Sequence, residues 1–296
     1  MPLNIELKLD FNSDWKEYLL MQFQHHGYEL TEELVNKDVV EVAIMYHNFR
    51  LRRINILPRE VYIAKEFNCP PMYRKSLKKL ISKIKEGADI NFHISRKIKN
   101  LEFKDGLLNH WGIHHLHISS KPGNVEGYNK QKHSELLYIR FVDDKAYLLQ
   151  ILDHTAFTDF DLIKIIHNNW PQTLENHRAY GISGEKYSKD QLKKFRKSNL
   201  NTPITIDQDN IYFPLGNGVT MSGYNLFSIR DTDYYLAALK DFEEVIKSNT
   251  DAILETIRKQ NLTLNQPIHF RLKTSDNTNF YTTDDYYNLK IDLGSI

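Results

Sequence analysis

Between Gly112 and Ile118 the chain reads GIHHLHI, which sets three imidazoles in four positions. Imidazole titrates nearest to neutral pH, so such a run can supply both a general acid and a general base. On an extended strand alternate side chains share a face. His115 and His117 then point one way and His114 the other. Two imidazoles one residue apart can also hold a metal ion once further ligands join them, and Asp153 with His154 could bring these. A third reading is that one or two of the rings hydrogen-bond backbone at a sheet edge. Further along, Tyr138 and Arg140 share one face of the run LLYIRFV. A guanidinium on a central strand must find an anion or suffer the loss of its hydration. Arg140 reads either as a phosphate clamp facing His115 or His117, or as the ion-pair partner of Asp153 or a neighbouring carboxylate.

These side chains need elements to hold them. Leu136–Val142 and Ala146–Leu152 are β-branched and apolar runs joined by Asp143-Asp144, the pattern of an antiparallel hairpin. A helix is expected from Thr158 to about His167, with Thr158 and Asp161 at capping-box spacing and Pro171 just past its end. Before the histidines, Leu77, Leu80, Ile81 and Ile84 recur at helical spacing and stop at Gly87. The opposite face of that helix is basic through Lys78, Lys79, Lys83 and Lys85, which makes it the candidate contact for a polyanion, with Tyr138 as a further nucleic-acid contact. His-Ile-Ser occurs twice, at His93 and at His117. Paired motifs of this kind resemble the two-histidine phosphoesterases, at a tighter spacing than that superfamily shows.

The rest of the chain sets the frame. Its 296 residues carry a formal net charge of +1, so any basic surface is local rather than global. The one cysteine, Cys69, rules out an intrachain disulfide framework and a multi-cysteine zinc site. Neither HExxH nor paired cysteines support the metal reading, and the expected chemistry needs no cofactor. The start lacks the pattern of a signal peptide and no apolar run has the length of a membrane span, which points to the cytoplasm. Strands are expected at Asn4–Leu9, Val39–Met45 and Arg59–Ala64, and a helix carrying Trp15, Leu19 and Phe23 ends at Gly27. Arg50, Arg52, Arg53 and Arg59 read as a solvated face or as phosphate contacts. Beyond Pro171 a polar stretch is read as a linker over residues 186–202. Short strands follow at 204–206 and 211–213, a turn at Gly216-Asn217-Gly218, a helix over 231–258, and strands at 268–273 and 287–293. The fold class is α+β. An N-terminal α/β segment (1–70) precedes a helix-plus-antiparallel-sheet central unit (71–185), and a C-terminal α+β domain covers 203–296.

Taken in order, the basic helix, the turns after it, three antiparallel strands and a closing helix resemble the RNase toxins of the RelE/HigB and barnase-like superfamily over residues 72–170. GIHHLHIS looks like the family strand that carries polar catalytic residues behind a glycine. LLYIRF matches the strand with an arginine ahead of aromatic residues, and YLLQILDHT the apolar strand ending in a catalytic side chain. The resemblance implies that His115 and His117 take the base or transition-state role. Arg140 would hold the scissile phosphate and His154 would protonate the leaving oxygen. It implies a metal-independent RNA endonuclease, a toxin or phage-defence effector, with RNA and a neutralising antitoxin as partners. The chain departs from these toxins in its greater length and in placing histidine where they often use arginine or glutamate. A two-histidine phosphoesterase, a histidine metal-site hydrolase and a non-enzymatic nucleic-acid or protein-binding module are the alternatives.

Overall fold

The histidine segment forms the outer strand of a four-stranded sheet. The fold is that of a computed structural model, in which residues 6–118, 135–153 and 161–296 are described. The strands are β2 (Glu60–Ile63), β3 (His114–His117), β4 (Leu136–Val142) and β5 (Lys145–Leu152), in the order β2-β5-β4-β3. The expected hairpin is present: Val142 pairs with Lys145, and Asp143 turns the chain at φ +50°, a conformation that aspartate tolerates. β3 runs antiparallel to β4, with His115 opposite Tyr138, whereas β2 joins β5 in parallel. A bulge leaves Leu149 as an extra residue between the pairs Tyr138–Gln150 and Ile139–Leu148.

Period-two alternation gives this sheet two apolar faces. On one, Leu116, Leu137, Ile139 and Leu148 pack with Leu77, Leu80 and Ile84 of α4 (Arg74–Glu86), whose end is capped by Gly87 in the left-handed conformation. On the other, Ile113, Leu136, Tyr138, Tyr147 and Leu149 meet side chains from three helices. These are Trp111 of α5 (Gly106–Trp111), Leu162, Ile163 and Ile166 of α6 (Asp161–Asn169), and Leu192 of α7 (Lys189–Lys197). Thr158, the expected cap of α6, and Phe160 lie outside the described residues, as does His154. The stretch read as a linker is α7, opened by a full capping box between Ser188 and Gln191 and anchored through buried Leu192.

Two compact units divide the chain otherwise than expected: residues 48–227, and residues 1–47 with 228–296. The second unit joins both chain ends. Leu7 of β1 (Leu7–Lys8) pairs in parallel with Ile268 of β8 (Ile268–His269). Trp15 of α1 (Phe11–His25) stacks on Tyr235 and donates its indole N–H to buried Asn277. Asp10 caps α1; Asp14 is buried and accepts from Leu272 N–H and Arg271. A short helix α2 (Glu32–Asn36) precedes α3 (Val39–Arg52), where a strand was expected. The β-branched run VVEVAI favours a strand locally, but Val42, Met45, Tyr46 and Phe49 recur at helical spacing and all are buried. The long C-terminal helix is two, α8 (Leu226–Ser248) and α9 (Thr250–Lys259), divided at Asn249. The last sheet is β9 (Arg271–Thr274), β10 (Asn279–Asp284) and β11 (Leu289–Ser295), and β10 is a strand that the sequence reading missed. Short strands β6 (Ile204–Thr205) and β7 (Ile211–Tyr212) complete the larger unit. Among the described residues no helix is long and apolar enough to cross a membrane.

The turn at residues 216–218 fixes α5 against the sheet. Gly216 N–H donates to the His110 carbonyl, Gly218 N–H to that of Asn109, and Asn225 holds the Gly216 carbonyl. A β-carbon on Gly216 would stand 1.9 Å from the Leu108 carbonyl oxygen, backbone that cannot swing aside. Gly216→Ala is expected to cost about 1–3 kcal/mol of stability, read as a lower urea midpoint. An unchanged midpoint would show that the turn does not press on α5.

Candidate active site at the edge of the sheet

Among the described residues β3 pairs with β4 alone, and residues 91–105 come against its other side. Two contacts pin that cover. Arg52, expected in a solvated face or on phosphate, is buried instead. It donates to the carbonyls of Asn48, Asn100 and Leu101, at 3.3, 2.9 and 3.2 Å. His93 Nδ1 lies 2.8 Å from the His117 carbonyl oxygen. A carbonyl only accepts, so His93 is the Nδ1–H tautomer, and burial lowers its pKa and keeps it neutral. The two His-Ile-Ser motifs therefore meet through a ring and a backbone carbonyl. Ser119 lies outside the described residues.

The cover ends on Asp105, whose two oxygens have different tasks. Oδ1 accepts from Leu107 N–H and Leu108 N–H, both at 3.1 Å, and so caps α5. Oδ2 faces His115 Nδ1 at 3.8 Å, within ion-pair range. The rings of His115 and His117 stand nearly perpendicular, 6.1 Å between centres. Both residues are largely buried, with the Nδ1 atoms turned away from solvent. His114 points to the other face and meets Phe141 edge-on at 5.3 Å. Burial pulls its pKa down to about 4, against the opposing pull of Asp105.

A cation completes the cluster on the side of His115 and His117. Arg196 of α7 lies over the Trp111 ring, 3.9 Å from its centre. Burial brings its pKa down to about 10, with Asp105 pulling the other way, so it stays charged at neutral pH. The same guanidinium reinforces the effect of burial on His110, whose pKa falls to about 4. Neither Asp105 nor Arg196 was singled out from the sequence. The capping box ahead of α7 was the available signal that this segment folds. Among the described residues no three His, Cys, Asp or Glu side chains come together in a way that could hold a metal ion.

Of the residues expected to act, the structure brings His115 and His117 together and leads others elsewhere. Arg140 does share their face, but its fork is engaged by Thr173: 2.9 Å to Oγ1 and 3.2 Å to the carbonyl from each terminal nitrogen. It is buried and held by Thr173 rather than turned to the histidine rings. Tyr138, expected to touch nucleic acid, is fully buried and donates its hydroxyl to the Asp153 carbonyl. The lysines of α4 lie across the sheet from His115 and His117, since the apolar stripe of α4 covers the other face. Lys78, Lys79 and Lys85 are exposed there, and half-buried Lys83 rests over the Phe92 ring at 4.3 Å. No protein-family model, no curated protein and no solved structure matches the chain.

Two outcomes follow from these contacts. Arg140→Lys keeps the charge and loses the fork, so stability should fall by about 1–3 kcal/mol with activity per folded molecule retained. A drop in activity at full stability would return Arg140 to the site. The buried imidazoles bear on acid stability. In the unfolded chain His93, His110 and His114 take up protons near pH 6.5; in the folded chain burial resists this until lower pH. The contribution of each is complete above pH 6.5 and is lost as pH falls below it, for His110 and His114 towards about 4. The loss is up to about 1.4 kcal/mol per pH unit for each ring. Urea midpoints should fall between pH 7.5 and 5, above the range of most carboxylates. A flat profile there would mean that the rings titrate as in water.

Proposed function

We propose that the chain is a metal-independent RNA endonuclease whose acid–base pair is His115 and His117. The observation that carries this reading is the Asp105 carboxylate facing His115 Nδ1, with the His117 ring beside it on the same strand face. A carboxylate facing Nδ1 steadies the cation formed when Nε2 takes a proton. RNA brings its own nucleophile. His115 Nε2 would take the 2′-hydroxyl proton as that oxygen attacks phosphorus. The bond to the 5′ oxygen would break and His117, in its protonated form, would give that oxygen a proton. The products are a 2′,3′-cyclic phosphate and a 5′-hydroxyl end, and each histidine is left in the other's starting state. Rings 6.1 Å apart can take opposite sides of one phosphorus, each reaching an apical oxygen by a hydrogen bond of about 2.7–3.0 Å. Arg196, seated on Trp111 and within the electrostatic reach of Asp105, would take the place first given to Arg140 in balancing phosphorane charge. A toxin or phage-defence role in the cytoplasm, with a neutralising antitoxin, goes with this reading.

A second reading is a polyanion-binding module without catalysis, favoured by the exposed lysines of α4 on the opposite face. One experiment separates the two. Total RNA incubated with the full chain in EDTA should be cut to cyclic-phosphate ends. His115→Ala and His117→Ala should each lower the rate by roughly 100-fold or more, with folding intact. Replacing Lys78, Lys79, Lys83 and Lys85 by Ser should weaken binding mainly at low salt. Binding with no cleavage would leave the module; cleavage unaffected by either histidine variant would remove this pair from the chemistry.

A further inference from the structure

His114 presents a problem that the proposed chemistry does not absorb. Both of its ring nitrogens are shielded from solvent and meet no hydrogen-bonding atom among the described residues. A neutral imidazole carries one N–H and one lone pair, and burying both unsatisfied is costly. The ring it meets, Phe141, offers neither a lone pair nor an N–H. Leucine or phenylalanine would fill the same place at no such cost, so the imidazole serves a purpose other than packing.

The surroundings show what would satisfy it. His114 lines a small pocket with Asp105, His115, Ser95, Arg52 and Phe103. The cavity volume is about 10 Å³, room for roughly one water molecule. Its wall carries the polar partners such a molecule needs. Asp105 spends Oδ1 on α5 and has Oδ2 on this side; Ser95 keeps a hydroxyl proton after accepting from Lys97 N–H. The Arg52 guanidinium is tied to three carbonyls and serves as wall.

We propose that this pocket holds a single water molecule shared by His114 and Asp105, which makes His114 a positioning residue for the Asp105–His115 couple. One lone pair of the water takes the N–H of His114, or one of its protons goes to the bare ring nitrogen. A remaining proton goes to Asp105 Oδ2. The carboxylate is then steered from two sides, by His115 directly and by His114 through the water. Neutral His114 suits this task, because it can donate and accept without adding a second positive charge beside His115. The catalytic consequence rests on the proposed role of Asp105 and His115; the water site itself does not.

The test has two arms, neither of which needs activity. A crystal structure of the full chain at a resolution that shows ordered water should contain one such molecule. It should lie within hydrogen-bonding distance of a His114 ring nitrogen and of Asp105 Oδ2. A dry pocket, or His114 bonded directly to protein, overturns the site. In the second arm the His115 ring is titrated by nitrogen NMR in the full chain. His114→Phe, which fills the pocket, should move its midpoint by more than about 0.3 pH unit. His114→Gln, which keeps a donor and an acceptor, should restore most of that shift and stands in if the phenylalanine variant does not fold. A midpoint unmoved by either substitution overturns the positioning role. If RNA is cut at normal rates by His114→Phe, that role is likewise lost, whereas a wild-type chain that cuts no RNA sinks the proposed function alone.

Discussion

One carboxylate organises the charge of the histidine region. Asp105 is the anion among Arg196, His114 and His115, and it enters the electrostatics of all three. It also starts α5, so its position is fixed by backbone rather than by a free rotor. The sequence around it is held from both ends. Arg52 fastens the carbonyls of Asn100 and Leu101 just before it, and the turn at Gly216 and Gly218 holds the last residues of α5 after it. A side chain so fixed can orient an imidazole without losing rotamer entropy at each encounter. Moving it by one residue would lose the cap and the ion pair together.

The sheet separates two chemistries that stand near each other in the sequence. The basic helix precedes the histidine strand, which invites a single surface made of lysines and imidazoles. Alternation along β3 and β4 forbids it, because the face that receives the stripe of α4 is not the face of His115 and His117. Arg140 illustrates the same logic from the other side. Its strand position gives it the right face, yet Thr173 closes over its guanidinium, and a buried cation whose donors are so occupied works as a structural fastener. Arg196 reaches the cluster from a helix far along the chain, with Trp111 as its seat.

What could be read from the sequence follows the range of the interactions involved. The hairpin of β4 and β5, the stripe of α4 and its glycine cap, and the alternation of the histidines are all set by neighbours within a few residues. α3 was misread because Val39, Val40 and Val42 favour a strand by branching, whereas the choice of helix is made by burial of Val42, Tyr46 and Phe49. α7 was taken for a linker on polarity, since one buried leucine suffices to anchor it. Asp105 caps α5 but was not singled out. Its second role depends on a β-strand ten residues later turning one particular ring towards it, and no local pattern records that. The unit that joins both chain ends is invisible for the same reason: Trp15 and Asn277 are 262 residues apart.

That separation bears on how the protein is made. At about 5–20 residues per second, the ribosome delivers Asn277 tens of seconds after Trp15. During that interval Trp15 of α1 lacks Tyr235, on which it stacks, and Asn277, to which it donates. Residues 48–227 emerge complete meanwhile and can settle first. Residues 11–25 are thus among the last to find their place. A chain cut short before β8 would keep the histidine strand, Asp105 and Arg196 intact while leaving its own beginning with nowhere to fold.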